Sequence, residues 1–478
     1  MSSEIPADPT QRTAARLWRN GWSLLRASLA GGERDYTHGS IGRAVVLLAI
    51  PMMLEMAMES IFAIVDIFFV ARLGPAAVAA VGLTEAVLTL LYAVAVGLSL
   101  GVTALVARRI GERDPEAAAT VAGQTVWIGL AVSAVVGALG VAYAPELLAA
   151  MGAEPAVVAD GSAYMAFMLG GSATILLLFL VTAIFRGAGN AAIALRVLIV
   201  ANAVNIVLDP CLIFGLGPFP ELGVTGAAIA TNIGRGIGAV YGFYVLAAGN
   251  GRFLLRVRHL ALVPRVMLRL LRVSAGGVLQ MIIATSSYIV LMRIVADYGS
   301  TAVAGYTIAL RIVLFTLMPS WGLSNAAATL VGQNLGAGRP ERAERSVWWA
   351  ARCNLLFLVA IAIVFVAFAR PIVGLFSAEP DVLDYGAQCL RIVSYGYGFY
   401  ALGMIVIQAF NGAGDTDTPT WINFAFFWLL QLPLAYALAH TAEMGPQGVF
   451  WAIAIAESSM AVASVALFRR GRWKAKAV

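Results

Sequence analysis

Charged residues are scarce in this sequence. Asp, Glu, Lys and Arg make up 12% of its 478 residues, which is about half the share found in soluble globular domains. Hydrophobic residues make up 60%, and the mean hydropathy is +0.85. These values exclude an ordinary soluble domain and indicate a polytopic membrane protein whose main solvent is the lipid bilayer.

Motifs for disulfide, metal or ATP chemistry are also missing. The three cysteines, Cys211, Cys353 and Cys389, lie in apolar segments, and their spacing matches neither a disulfide framework nor a metal site. No Gly-Lys pair occurs, which excludes a P-loop and an ATP-driven pump built on one. The net charge of +6 is expected to reflect basic cytoplasmic loops. We therefore expect no cofactor and no nucleic-acid partner.

Long apolar segments are abundant. Segments of about 20 residues or more predict membrane-spanning helices, and the sequence predicts an all-α integral membrane protein with twelve of them. Spans 1 to 12 have predicted bounds of 43–72, 75–106, 116–144, 160–185, 191–215, 223–248, 268–297, 301–333, 343–370, 385–410, 419–440 and 446–469.

The distribution of basic residues predicts the orientation. An even number of spans places both termini on the same side of the membrane. Most of the 32 Lys and Arg residues lie in the two tails and the even-numbered loops. The positive-inside rule therefore predicts a multi-pass protein of the plasma or inner membrane with both termini in the cytoplasm.

The chain divides into two lobes with short flanking segments. In the N-terminal tail, four arginines alternate with Leu and Trp, which favours either an amphipathic helix on the inner leaflet or a disordered tail. We expect the protein to function as a monomer. The predicted parts are the N-terminal tail 1–39, the N-lobe 40–250, a basic cytoplasmic linker 251–267, the C-lobe 268–470 and the C-terminal tail 471–478.

The two lobes repeat the same pattern. "RRIGERDPEAA" after span 2 parallels "QNLGAGRPERA" after span 8, and "FRGAGN" at 185–190 parallels "FNGAGD" at 410–415. Six spans per repeat is an even number, so both lobes have the same orientation and are related by an axis along the membrane normal. A cavity between two such lobes is the usual plan of a secondary transporter.

These motifs carry a family resemblance. "GQNLGAGRPERA", "RGAGN", "NGAGD" and "VDIFFVARLG" resemble the multidrug and toxic compound extrusion (MATE) family, over about residues 40 to 470. The resemblance implies a V-shaped pair of six-helix lobes. It also implies export of drug-like compounds against an inward flow of H⁺ or Na⁺.

Two spans carry acidic side chains at helical spacing. Span 1 has Glu55, Glu59 and Asp66 within about 40° of one another on a helix. Span 5 has Asn202, Asn205 and Asp209 on one face. An ionised Asp near the centre of a membrane helix costs about 2.5–3.5 kcal/mol, so it needs a function or a partner. We expect both faces to line the interior of the N-lobe.

The polar residues of the N-lobe predict a site for the coupling ion. Two carboxylates in a dry cavity do not both stay ionised cheaply, so Asp66 and Asp209 are expected to share a proton or a Na⁺. Asn205 and Thr231 of span 6 offer oxygen ligands for either role. The resemblance assigns coupling to the same four residues, as in the DinF-like branch. The residues do not decide between H⁺ and Na⁺.

The sequence departs from the family pattern in two places. Thr182 stands where the family usually has Asn before the turn after span 4. In the repeat, Glu55 aligns with Gln280 and Asp66 with Leu291, so the C-lobe lacks the acidic pair.

Further residues are candidates for contact with a substrate, although ordinary helix packing would also explain them. Arg235, like Arg293, Arg311 and Arg391, is expected near a span end, where arginine can reach the membrane surface. Because it lies four residues after Thr231, it is also a candidate partner for an acidic side chain. Methionine adapts its shape to varied ligands, and tyrosine stacks on aromatic cations. The candidates that line the cavity or contact the substrate are Glu55, Glu59, Asn202, Met56, Gln280 and Tyr395.

The preferred function is export of cationic or amphipathic drug-like compounds by H⁺ or Na⁺ antiport within the lipid bilayer. An alternative is an exporter or flippase of a lipid-linked or endogenous metabolite on a related two-lobed fold. An intramembrane aspartyl protease is the enzyme alternative, because "GAGD" at 412–415 fits a GxGD pattern. That pattern lies at the cytoplasmic end of span 10, so we do not expect an enzyme.

Overall fold

The structure is a computed structural model that describes residues 22–32, 34–249 and 252–476. The prediction for Arg12, Arg16 and Arg19 therefore lies outside the described residues. Residues 22–30 are helical. Every regular element in the described ranges is a helix, which confirms the predicted all-α class.

The twelve predicted spans are all present. Ten of the described helices are long and apolar enough to cross a membrane, and span 10 adds another as two helices bent by 60°. Span 6 is a 24-residue helix that is more polar, since it carries Thr231 and Arg235. The observed bounds are Ile41–Val70, Pro75–Gly111, Pro115–Ala150, Pro155–Ala188 with a break at Gly171, Ala191–Phe214, Val224–Ala247, Pro264–Ala296, Ser300–Gly336, Pro340–Val373, Pro380–Gly412, Asp417–Thr441 and Pro446–Arg469.

Proline marks the start of many of these helices. It occupies the first helical position of spans 2, 3, 4, 7, 9, 10 and 12, where the missing N–H would have no helical partner anyway. The residue before span 2, Gly74, has φ 102°, and its counterpart Gly299 before span 8 has φ 97°. Only glycine adopts such a backbone readily, so the repeat preserves a structural requirement.

Each lobe has its own apolar core. Residues of spans 1 to 6 form most of one buried cluster, and residues of spans 7 to 12 form a second. A third cluster joins the lobes and includes Leu48 of span 1 and Leu330 of span 8. The predicted two-lobed organisation thus corresponds to separate hydrophobic cores connected through a shared junction.

The lobes meet at the end of the molecule that carries the two described termini, here termed the inner end. A Cβ added to Gly332 of span 8 would lie 2.6 Å from the Cβ of Ala107 in span 2. One added to Gly322 would lie 2.6 Å from the carbonyl oxygen of Met52 in span 1. Among the described residues, every hydrogen bond between the lobes lies at this end. The lobes therefore form the two arms of a V that diverge toward the outer end.

A short strap, residues 34–39, crosses the junction at the inner end. Arg339 donates to the carbonyl oxygen of Thr37 at 2.8 Å, and Arg342 donates to that of Gly39 at 2.9 Å. Partial burial alone would raise the pKa of Asp35, but hydrogen bonds from Thr37 and the neighbouring His38 lower the pKa to about 2. Asp35 therefore remains ionised and holds the strap in its turn.

The linker between the lobes docks on span 3. The Gln124 side chain donates to the carbonyl oxygens of His259 and Ala261, at 3.2 and 2.9 Å, and accepts from the Val263 N–H at 3.0 Å. Span 7 begins at Pro264, so its first turn includes the end of the predicted linker. The linker therefore packs as part of the N-lobe.

We expect Gln124→Leu to destabilise the protein by about 1–3 kcal/mol, because it leaves buried backbone groups of the linker without partners. Gln124 is 0% exposed, so leucine fits its apolar surroundings but cannot replace the three hydrogen bonds. Thermal unfolding in detergent measures the change. Gln388→Leu removes a single surface hydrogen bond from Gln447 and is the control. Equal melting temperatures for the two variants would show that linker docking contributes nothing.

Candidate functional site

A polar site lies inside the N-lobe between spans 5 and 6. The Asn205 amide nitrogen donates to Asp209 Oδ1 at 3.1 Å and to Thr231 Oγ1 at 3.3 Å. The two helices approach closely because span 6 has glycine at the contact: a Cβ on Gly234 would lie 2.7 Å from the carbonyl oxygen of Ala201. Three of the four predicted coupling residues are therefore in direct contact.

Asp66 of span 1 is the fourth predicted coupling residue. It is 8% exposed and Asp209 is 0% exposed, and span 1, which carries Asp66, packs against span 5, which carries Asp209. Three buried oxygens accept no hydrogen bond from any described residue: Asp66 Oδ1, Asn205 Oδ1 and Asp209 Oδ2. Buried oxygens without donors are costly, and a proton or a hard cation would satisfy them.

Arg235 supplies the positive charge beside this site. It is buried, it pairs with Glu59 at 3.6 Å, and its charge also acts on Asp66. Its guanidinium carbon lies 4.7 Å from the ring centre of Phe62. The sequence suggested an acidic partner for Arg235 from its spacing to Thr231, and the ion pair confirms it. Glu59, a candidate for substrate contact, is thereby engaged within the lobe.

Glu55 has a different environment. It is buried and forms an ion pair with Arg186 of span 4, and Arg186 also donates to Thr182 Oγ1 at 3.3 Å. The basic-residue pattern groups Arg186 with the loop after span 4, whereas the structure places it within the helix. In the sequence, Arg186 stands just before "GAG" and one helical turn after Thr182. This spacing is the signal that could have placed it within span 4.

The pair is linked to the junction between the lobes. Thr329 of span 8 donates to the carbonyl oxygen of Arg186 at 3.1 Å, and Gln333 donates to that of Gly187 at 3.0 Å. Span 1 therefore connects two regions. Its outer half carries Asp66, and its inner half carries Glu55 beside these contacts.

The other predicted residues do not join the four-residue site. Asn202 donates to the carbonyl oxygen of Met58 at 3.0 Å and ties span 5 to span 1, while Met56 is partly exposed. In the C-lobe, Gln280 is buried and exchanges hydrogen bonds with Asn411 at 3.1 and 3.2 Å. Tyr395 is 56% exposed and stacks on Trp451, with ring centres 6.1 Å apart.

The C-lobe has no equivalent of the acidic site among its described residues. Leu291, the counterpart of Asp66, is buried in the apolar core. The partly buried acid Glu457 of span 12 forms no ion pair with a described residue, and its Oε2 accepts no hydrogen bond from one. Asp415 of the "GAGD" sequence lies at the inner end, where Lys476 donates to it at 3.0 Å. This ion pair does not resemble a protease dyad.

Comparison with known proteins identifies the family of this chain. The MatE family model matches residues 51–211 and 278–437. The chain belongs to the MATE family. The two matched segments cover spans 1 to 5 and spans 7 to 11, which agrees with the repeat seen in the sequence. Members of this family are transporters, so the protein is a membrane transporter and not an enzyme.

Curated relatives cover nearly the whole chain. The probable multidrug resistance protein NorM of Thermotoga maritima is 27% identical over 442 residues, which are 92% of this chain and 94% of that protein. The FAD transporter of Shewanella oneidensis is 28% identical over 439 residues, 90% of this chain and 95% of that protein. The multidrug export protein MepA of Staphylococcus aureus is 25% identical and covers 88% of this chain and 92% of its own.

Solved structures share the fold. MATE in complex with MaL6 superposes with a TM-score of 0.85 at 26% identity and covers 92% of this chain and 98% of its own. The outward-facing conformation of a multidrug resistance MATE family transporter gives the same TM-score and identity, with 92% and 97% covered. The predicted V-shaped pair of six-helix lobes is confirmed.

Proposed function

We propose that the protein is an antiporter that exports organic compounds while H⁺ or Na⁺ flows inward, with the coupling site in the N-lobe. The observation that carries this proposal is the group of buried oxygens without donors on Asp66, Asn205 and Asp209. An acidic N-lobe site without a C-lobe counterpart supports placement in the DinF-like branch. The site requires no cofactor, and one chain contains it whole, so we propose a monomer.

The mechanism follows from the charges. A proton or Na⁺ that enters from the outer end neutralises one of the two negative charges of Asp66 and Asp209 and so relieves the repulsion between them. Span 1 then adjusts its position between the site and the junction of the lobes. Pro51 lies inside span 1 and removes one backbone hydrogen bond, which makes that helix easier to bend. The change releases the compound outward, and the return step discharges the ion inward.

The driving force is adequate. One elementary charge that crosses 100 mV is worth about 2.3 kcal/mol, which corresponds to about a fiftyfold shift in an equilibrium. The inward direction follows from placing the inner end in the cytoplasm of a plasma or inner membrane. Arg339 and Arg342 lie at that end, in agreement with the positive-inside rule.

The substrate class is proposed from the relatives and the acidic lobe. Two of the relatives named above are multidrug resistance or export proteins, and an acidic N-lobe favours cationic or amphipathic compounds. An endogenous metabolite is the second candidate, because one relative is an FAD transporter. Transport assays with a cationic dye and with a flavin nucleotide separate the two.

A single gradient at a time tests the coupling. Liposomes that contain the purified protein and a cationic fluorescent dye receive either an acidic outside pH or external Na⁺. We expect one of these gradients to speed dye release several-fold over protein-free liposomes, and the other to have no effect. Equal release with and without protein under both gradients would contradict antiport.

A further inference from the structure

Two exposed residues of opposite charge lie outside the coupling site. Glu85 of span 2 and Arg311 of span 8 are both exposed and lie in the outer halves of their helices. Neither forms an ion pair within 4.0 Å with a residue that the structure describes. Arginine near a span end can reach the membrane surface, but Arg311 is three turns into its helix, so it needs another explanation.

Helical geometry places the two side chains opposite each other. Spans 2 and 8 touch at the inner end, where Ala107 packs on Gly332. At 100° per residue, Glu85 lies about 40° from Ala107, and Arg311 lies about 60° from Gly332. At a rise of 1.5 Å per residue, Glu85 lies about 33 Å along span 2 from that contact, and Arg311 lies about 32 Å along span 8 from it. For straight helices this places the two residues on facing sides at the same height, although Pro319 lies between Arg311 and Gly332 in span 8.

The electrostatics agree with this geometry. The positive charge of Arg311 acts on the Glu85 carboxylate, and the two charges are of opposite sign. The charge of Glu85 also acts on Asp66 of the coupling site. The interactions thus form a series that runs from Arg311 of the C-lobe to Glu85 of the N-lobe and on to Asp66 of the coupling site.

We infer that Glu85 and Arg311 form the ion pair that closes the outer mouth of the cleft when the transporter turns inward. The inference rests on the proposed alternating function. In the present conformation the lobes are held together by inner-end contacts. Closure at the other end needs its own attraction, and the outer halves of spans 2 and 8 supply one. Its strength depends on the charge of the coupling site, because Glu85 also interacts with Asp66.

Charge reversal tests the pair. Glu85→Arg and Arg311→Glu each place like charges across the closing mouth, which is costly at a desolvated interface. We expect each single variant to lower gradient-driven export about tenfold or more, and the double variant to recover to within about threefold of the unmodified protein. Arg293→Glu is the control, since Arg293 is exposed near the outer end and pairs with Asp297 of its own helix. It should keep at least about half of the activity.

A cross-linking experiment reports closure without transport. The Glu85→Cys, Arg311→Cys variant, in a background with Cys211, Cys353 and Cys389 replaced by Ala, is treated with a short bifunctional thiol reagent. We expect the yield of the intramolecular cross-link to rise under the gradient that drives the transporter inward-facing, and we expect the cross-link to arrest export until the cleavable reagent is cut. The same measurement separates this inference from the coupling proposal. Cross-linking without gradient-driven export would contradict the coupling proposal but not the closing ion pair.

Two results would overturn the inference. The first is the absence of a cross-link under every gradient in a protein that exports. The second is a double reversal that fails to recover activity while Arg311→Gln impairs only negatively charged compounds. That pattern would assign Arg311 to substrate contact. The Arg311 charge also acts on the hydroxyl of Tyr288. Tyr288 would then be the neighbouring residue to test for substrate contact.

Discussion

Asp209→Asn is expected to abolish gradient-driven export and to leave the protein folded. The amide has nearly the same shape, and Asn205 can still donate to its oxygen as it does to Asp209 Oδ1 at 3.1 Å. It cannot take up a proton, and it offers no charge to Na⁺. Asp66→Asn should have the same effect, because the proposed mechanism has the two carboxylates share one ion. Export should fall to the level of liposomes without protein.

The measurement is dye release under each gradient, with the amount and melting temperature of every variant checked. Asp66→Asn combined with Asp209→Asn should be little worse than either alone, since both remove the same ion site. Glu457→Gln is a matched control, because Glu457 is a partly buried acid of the C-lobe without an ion-pair partner. It should keep most of the activity. Wild-type export by Asp209→Asn under every gradient would make that carboxylate structural.

Arg186→Leu is expected to cause the largest loss of stability. It leaves Glu55 as an uncompensated buried charge between spans 1 and 4, which typically costs about 3–5 kcal/mol. Removal of both charges in Glu55→Leu, Arg186→Leu should recover much of that loss, because an apolar pair has no desolvation cost. Thermal unfolding in detergent compares the three proteins.

The same pair separates stability from coupling. Glu55→Gln should reduce export less than Asp209→Asn does, since Glu55 is paired with Arg186 outside the four-residue site. A melting temperature for Arg186→Leu equal to that of the unmodified protein would contradict a stabilising role. A double variant less stable than Arg186→Leu would show that the unpaired Glu55 charge is not the cause of the loss.

The sequence by itself determined the class of protein, the number of spans, the repeat and the polar faces of spans 1 and 5. The bilayer requires long apolar helices, and an acidic side chain in such a helix needs a function or a partner. Helical spacing alone places Asn205 and Asp209 on one side of span 5. These features depend on residues close together in the chain, so they could be predicted without knowing how the helices pack.

Only the tertiary structure decided which charges meet. Arg235 pairs with Glu59, and Arg186 pairs with Glu55. Periodicity gives the face of a helix on which a residue lies, but the identity of the neighbouring helix depends on packing between segments more than a hundred residues apart. The close approach of Gly332 to Ala107 sets the junction of the lobes, because a side chain at position 332 would collide with Ala107.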